Sequence, residues 1–229
     1  MLKNNFLHKR QPASSPAAGF SLLELTIAMT IVLTMLGLSS ALLSGSFSIR
    51  GRENQKSSAL ADAQRALNSM SREIANSGFG LTNNGIVTTE STASAIRVRA
   101  NLNAFDREST SNSVTDSDED VIYQLFTDST QSYVERIDIN SGLRTTILAN
   151  RVDALVIRYF ADKVDYTAGN CNITAAGDVT DKTLAKYIVI VACVQLPAIG
   201  TQGSPGYQPV SRVQLISDVT LRNSDLAHY

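Results

Sequence analysis

Histidine is nearly absent from this chain. The two copies, His8 and His228, sit near the N-terminus and at the penultimate position, so the interior has no imidazole from which to build a catalytic triad or a His-rich metal site. A carboxylate pair can serve as acid and base, but no segment sets two carboxylates amid apolar pocket sequence, and no glycine-rich phosphate loop is present. The expectation is a protein that is not an enzyme. Clustered basic residues are missing too: residues 77–229 carry 12 basic against 17 acidic side chains, whereas a nucleic-acid surface needs grouped Lys and Arg to neutralise phosphates. No direct nucleic-acid partner is expected. No cysteine lies near the N-terminus, which excludes lipoprotein processing, and no proline interrupts Phe20 to Asn76.

What is present begins with one stretch. From Phe20 to Phe47 the only ionisable residue is Glu24, and Leu25 to Ile49 has no charge at all. About 20 apolar residues at about 1.5 Å each cross the hydrocarbon core of a bilayer, so this run reads as a membrane-spanning helix. Lys3, Lys9 and Arg10 precede it, and the positive-inside rule then keeps the N-terminus cytoplasmic and exports the rest. Two plainer readings stand beside this one: a signal anchor with a chance glutamate, and a secretory signal peptide cut after Ser39-Ser40-Ala41. A carboxylate at the start of a span needs a partner, because charge in lipid is costly.

Beyond the run the helical pattern continues. Leu60, Ala63, Leu67, Met70 and Ile74 recur at spacings of three and four and form one stripe, with Arg65, Arg72 and Glu73 off it and facing water. Polar residues at Arg50, Arg52, Glu53 and Lys56 mark the exit from the span, and Gly78 sits where a helix C-cap is expected. After Ser77 the period changes to that of strands: Ile96 to Arg99, Val121 to Phe126, Tyr133 to Ile139, Leu143 to Leu148, Val152 to Phe160, Tyr187 to Leu196 and Val210 to Leu221. Asn140-Ser141-Gly142 reads as a hairpin turn. Polar loops are expected at Thr82 to Ser94, Asn101 to Asp118, Asp162 to Asp181 and Pro197 to Pro209. The length, 229 residues at 43% hydrophobic content, suits one good-sized domain with an accessory element.

Two clusters carry chemistry of a simpler kind. Cys171 and Cys193 are the only cysteines, and an even count in an exported domain favours a bridge. A buried thiol at Cys193 is the alternative. Asp116, Asp118 and Asp120 have a spacing that can direct oxygens at Ca²⁺. The EF-hand pattern fails, since its sixth and twelfth positions here are Val121 and Thr127. A solvated acidic loop is the preferred reading, and no cofactor is expected beyond that calcium option.

Gly19-Phe20-Ser21-Leu22-Leu23-Glu24-Leu25, joined directly to the apolar run, resembles the processing site of type IV prepilins. The resemblance implies cleavage by a prepilin peptidase between Gly19 and Phe20, N-methylation of Phe20, and a role for Glu24 in assembly, where it pairs with the N-terminal amine of a neighbouring subunit. Residues Arg65 to Phe79, Val152 to Tyr159 and Val219 to Asn223 resemble segments of the W-type minor pilins. The chain departs from the family pattern in two places: Ala17-Ala18 brings no basic residue before Gly19, and the helix lacks the proline common in related pilins.

The resemblance implies an α+β, type IV pilin-like fold, with a long N-terminal helix, membrane-spanning in its first half, packed on an antiparallel β-sheet. It divides the chain into a leader at 1–19, a transmembrane and filament-core half-helix at 20–48, an amphipathic half-helix at 49–76 and an exported sheet domain at 77–229. The expected function is that of a minor pilin in pilus assembly, with other minor pilins, the major pilin and the bacterial inner membrane as partners. The domain would be periplasmic until assembly. A J-type pseudopilin of a type II secretion system and a pilin-anchored adhesin are the alternatives. Calcium is known in related pseudopilins, which is why Asp116, Asp118 and Asp120 stay in view.

Overall fold

The computed structural model describes residues 19–104, 114–149 and 151–224. Of the leader expected at 1–19, residues 1–18 lie outside the described residues. One helix, α1, runs without a break over Leu22–Ala75, 54 residues or about 81 Å at 1.5 Å per residue. Its first half touches almost nothing in the chain: Leu22, Leu33, Leu38, Leu42 and Phe47 are all exposed. Its second half buries the expected stripe at Ala63, Leu67, Met70 and Ile74, with Ala59 and Ala66 beside it and Leu60 partly buried. The small alanines let the helix lie close to the strands beneath it.

The helix ends at Ala75 with Asn76 as its cap, not at Gly78. That glycine, at φ 81°, lies two residues further on, and its N–H donates to the Arg99 carbonyl at 2.9 Å. A Cβ there would meet the Asn83 carbonyl oxygen at 2.6 Å, so the glycine serves the crossing of two backbones. Glu73 does not face water either. It is half-buried and accepts from Arg136 Nε at 3.0 and 3.1 Å.

The described strands divide into two larger antiparallel sheets and one small hairpin sheet, where a single sheet was expected. β1 (Ala95–Arg99), β2 (Asp120–Thr127), β3 (Ser132–Asp138) and β4 (Arg144–Leu148) form an antiparallel meander in that order, with pairs such as Val98 opposite Val121 and Ile122 opposite Ile137. β5 (Val152–Phe160) leaves this meander and pairs with β8 (Tyr187–Leu196), which in turn pairs with β9 (Ser211–Thr220). Tyr159 joins the two sheets by donating its hydroxyl to the carbonyls of Thr92 and Ala95. The inner faces of both sheets and the second half of α1 enclose the main core.

Between β5 and β8 the expected loop contains a small hairpin, β6 (Thr167–Gly169) and β7 (Asn172–Thr174). It covers the outer face of β8, where Phe160, Ile173, Tyr187, Val189, Val191 and Cys193 form a second buried cluster. β8 is therefore buried on both faces, which is why it reads as a continuous apolar run and not as an alternation.

Candidate functional site

The candidate site is the N-terminal half of α1 together with what holds the domain to it. Glu24 stands in the first turn, where a negative charge is favoured by the helix dipole. It is exposed among Leu22, Leu23, Leu25 and Ile27, and among the described residues it has no ion-pair partner. Phe20 and Gly19 precede the helix in extended or irregular backbone. α1 is long and apolar enough to cross a membrane, and its most apolar stretch is not buried within the chain.

Four hydroxyls inside this half are satisfied by their own helix. Thr26, Thr30 and Thr34 lie on one face, four residues apart, and each hydroxyl donates to the carbonyl three residues back at 2.8 Å. Ser46 donates to the carbonyl four residues back, that of Leu42, at 3.0 Å. Hydroxyls that bond their own backbone leave no orphan donor in an apolar surrounding.

Where the exposed half passes into the packed half, residues 197–209 clasp the helix. Arg52, which the sequence pattern marks only as polar, is buried. It donates to the carbonyl oxygens of Pro197 at 2.9 Å, Gln208 at 3.2 Å and Pro209. Lower down, Ser44 Oγ donates to the Pro205 carbonyl at 3.4 Å, and a Cβ on Gly206 would meet Gly45 Cα at 2.9 Å. The pair Gly45 and Gly206 allows two backbones to touch. Sequence spacing gives no sign of this contact, because the partners lie some 150 residues apart.

Asp116, Asp118 and Asp120 do not converge. Asp120 is buried against Arg97, which approaches both its oxygens at 2.7 Å, and against Arg99 at 2.9 Å. The hydrogen bond to Asp120 is the main reason the Arg97 guanidinium is held above its ordinary range. Asp118 takes Arg136 Nη2 at 2.6 Å, while Asp116 takes the Asn103 side-chain amide. Among the described residues no three acidic, His or Cys side chains gather to hold a metal ion. The residue that organises this loop is Asp138, absent from the D-x-D-x-D reading. It accepts from Ser117 Oγ and Ser141 Oγ, both at 2.7 Å, and from the backbone N–H groups of Asp118 and Asn140 at 3.0 Å. Burial works against its charge, but these donors outweigh burial and keep its carboxyl well below the usual carboxylate range.

Cys171 and Cys193 are bonded to each other. The bridge ties the β6–β7 hairpin to the outer face of β8, and Cys171 N–H also donates to Gln214 Oε1 of β9 at 3.0 Å.

Comparison with known families finds no family model that matches the chain, and comparison with curated proteins finds no match either. Among solved structures, the chain is similar to a type IV-like pilin from Thermus thermophilus at 10% identity and a TM-score of 0.40, covering 72% of this chain and 97% of that one. A score of that size transfers no residue's role.

Proposed function

We propose that this protein is a pilin-type subunit, a minor pilin of the W type, which is processed between Gly19 and Phe20 and then enters a membrane complex that primes pilus assembly. The observation that carries the reading is the division of α1. Half of a continuous helix is the spine of a folded domain, while the other half is apolar, exposed and unpartnered within the chain, with one carboxylate at its start. A helix of that kind is suited to lipid first and to a bundle of like helices afterwards. Phe20, once freed and methylated, would supply the amine that Glu24 of a neighbour lacks.

The test is Glu24→Ala in the native cell. A carboxylate left without its partner, or an amine left without its carboxylate, in a helix bundle costs about 3–5 kcal/mol, which is a factor of about a hundred or more in association. The variant should remain processed and membrane-bound but be recovered poorly in cross-linked complexes with other pilins, with few pili on the cell. Unchanged complex recovery and normal piliation would refute the assembly role. Normal pili with loss of a secreted enzyme would move the protein to the secretion-system pseudopilins.

A further inference from the structure

The loop at residues 197–209 has a composition unlike the rest of the chain. Its 13 residues contain no charge, and the uncharged stretch around it runs from Tyr187 to Ser211. It holds Pro197, Pro205 and Pro209, three of the five prolines in the sequence, and three glycines at positive φ, Gly200, Gly203 and Gly206. Proline and glycine in these places fix a shape by limiting the unfolded alternatives and permitting tight turns. The loop closes on itself through a bridge between Ile199 and Gln208, and most of its tip, from Gly200 to Pro205, is exposed.

Its direction is set by its contacts with α1. The base is held at Arg52 and the tip reaches Ser44 and Gly45, so the loop runs down the helix for eight residues, or about 12 Å, toward the N-terminal end. If Leu25 marks the entry to the hydrocarbon, about 20 residues at 1.5 Å place the exit near Ser44. The tip of the loop and the far edge of the hydrocarbon therefore stand at one level. Arg50, which is exposed, stands six residues or about 9 Å above it, where its long side chain can reach lipid phosphates.

We propose that the 200–207 tip is a membrane-contacting element that rests in the lipid headgroup layer and fixes the height and tilt of the exported domain over the bilayer. The inference rests on the reading of the uncharged run that begins at Leu25 as a membrane span. An uncharged, proline-fixed tip enters this layer without leaving an ion stranded, and Tyr207 has the amphipathic ring favoured there. Arg52 keeps the tip pointed at the membrane by holding its base against the helix.

The chain has no tryptophan, so single substitutions give clean fluorescent reporters. Full-length protein carrying Gln202→Trp or Ser204→Trp at the tip, Leu36→Trp in the span, or Leu184→Trp at the opposite end of β8 would be reconstituted in phosphatidylcholine and phosphatidylglycerol vesicles. The lipids would be brominated near the carboxyl end of their acyl chains. Tip reporters should lose emission to these bromines, because a ring at the interface lies at their depth, while Leu184→Trp keeps its emission. If both tip reporters behave like Leu184→Trp while bromines placed deeper in the chains quench Leu36→Trp, the proposal is wrong and the span stands. If no depth of bromine quenches Leu36→Trp, the span reading fails and the proposal falls with it.

Discussion

The turn between β6 and β7 sets two effects against each other at one residue. Gly169 pairs with Asn172 across a two-residue connection, and both central residues, Asn170 and Cys171, have positive φ, 50° and 60°. That is the geometry of a type I′ turn, for which Asn followed by Gly is the favoured pair. Asn170 fits, but a cysteine in the left-handed region costs about 1–2 kcal/mol. The bridge to Cys193 closes a loop across a separation of 22 residues and stabilises by about 3 kcal/mol in the chain-entropy model. The bridge wins. In a Cys193→Ala background, which removes the bond at its buried end, the Cys171→Ser double variant should unfold about 6–12 °C below wild type, at about 2–4 °C per kcal/mol for a domain of this size. Cys171→Gly in the same background should recover about 2–8 °C of that loss, since glycine accepts the turn. Differential scanning calorimetry of the detergent-solubilised protein reads both values. Equal unfolding temperatures for the Ser and Gly variants would refute the account of the turn, and no loss in either would refute the account of the bridge.

Arg52→Met should lower the unfolding temperature by several degrees, because a buried cation's hydrogen bonds to three carbonyls contribute about 1.5–3 kcal/mol, and limited proteolysis should then cut within 197–209 where wild-type protein resists. For Asp138 the folded carboxyl titrates below its unfolded value of about 3.9. Its contribution is therefore complete above about pH 4 and is lost as pH falls through that value toward the folded one. Asp138→Asn should flatten the acid dependence of the urea midpoint below about pH 4, and an unchanged slope would show that other carboxylates set it.

The elements that sequence reading located were those whose period is local. The stripe from Ala63 to Ile74 and the alternating or β-branched runs at Ile96, Val121, Tyr133, Leu143, Val152, Tyr187 and Val210 all became helix or strand within a residue or two of their expected ends. What was missed depends on distant partners. The pairing of β5 with β8 is set by tertiary contact and has no local signature. The β6–β7 hairpin has only three residues in each strand, and its turn carries Cys where glycine would have announced it. Its presence was still implied, because the unbroken apolar run Tyr187 to Leu196 needs cover on both faces. Arg52 looks like any cation past a span until residues 197–209 are brought beside it. In the acidic loop, Asp118 at φ 68° breaks the alternation that the D-x-D-x-D spacing assumes, so the three carboxylates find three different partners. Glu24 and the Gly19-Phe20 junction were legible only as motif, since their expected partners belong to other molecules.

If cleavage between Gly19 and Phe20 makes Phe20 the N-terminus of a pilin-type subunit, intact-mass and N-terminal peptide mass spectrometry of the membrane-bound protein from its native cell will read it. The expected chain starts at Phe20 with a methyl group on its amine, and a Gly19→Val variant should accumulate unprocessed and keep the leader. A native chain that starts upstream of Phe20, or after Ala41, or a Gly19→Val protein of normal mature mass, would contradict it.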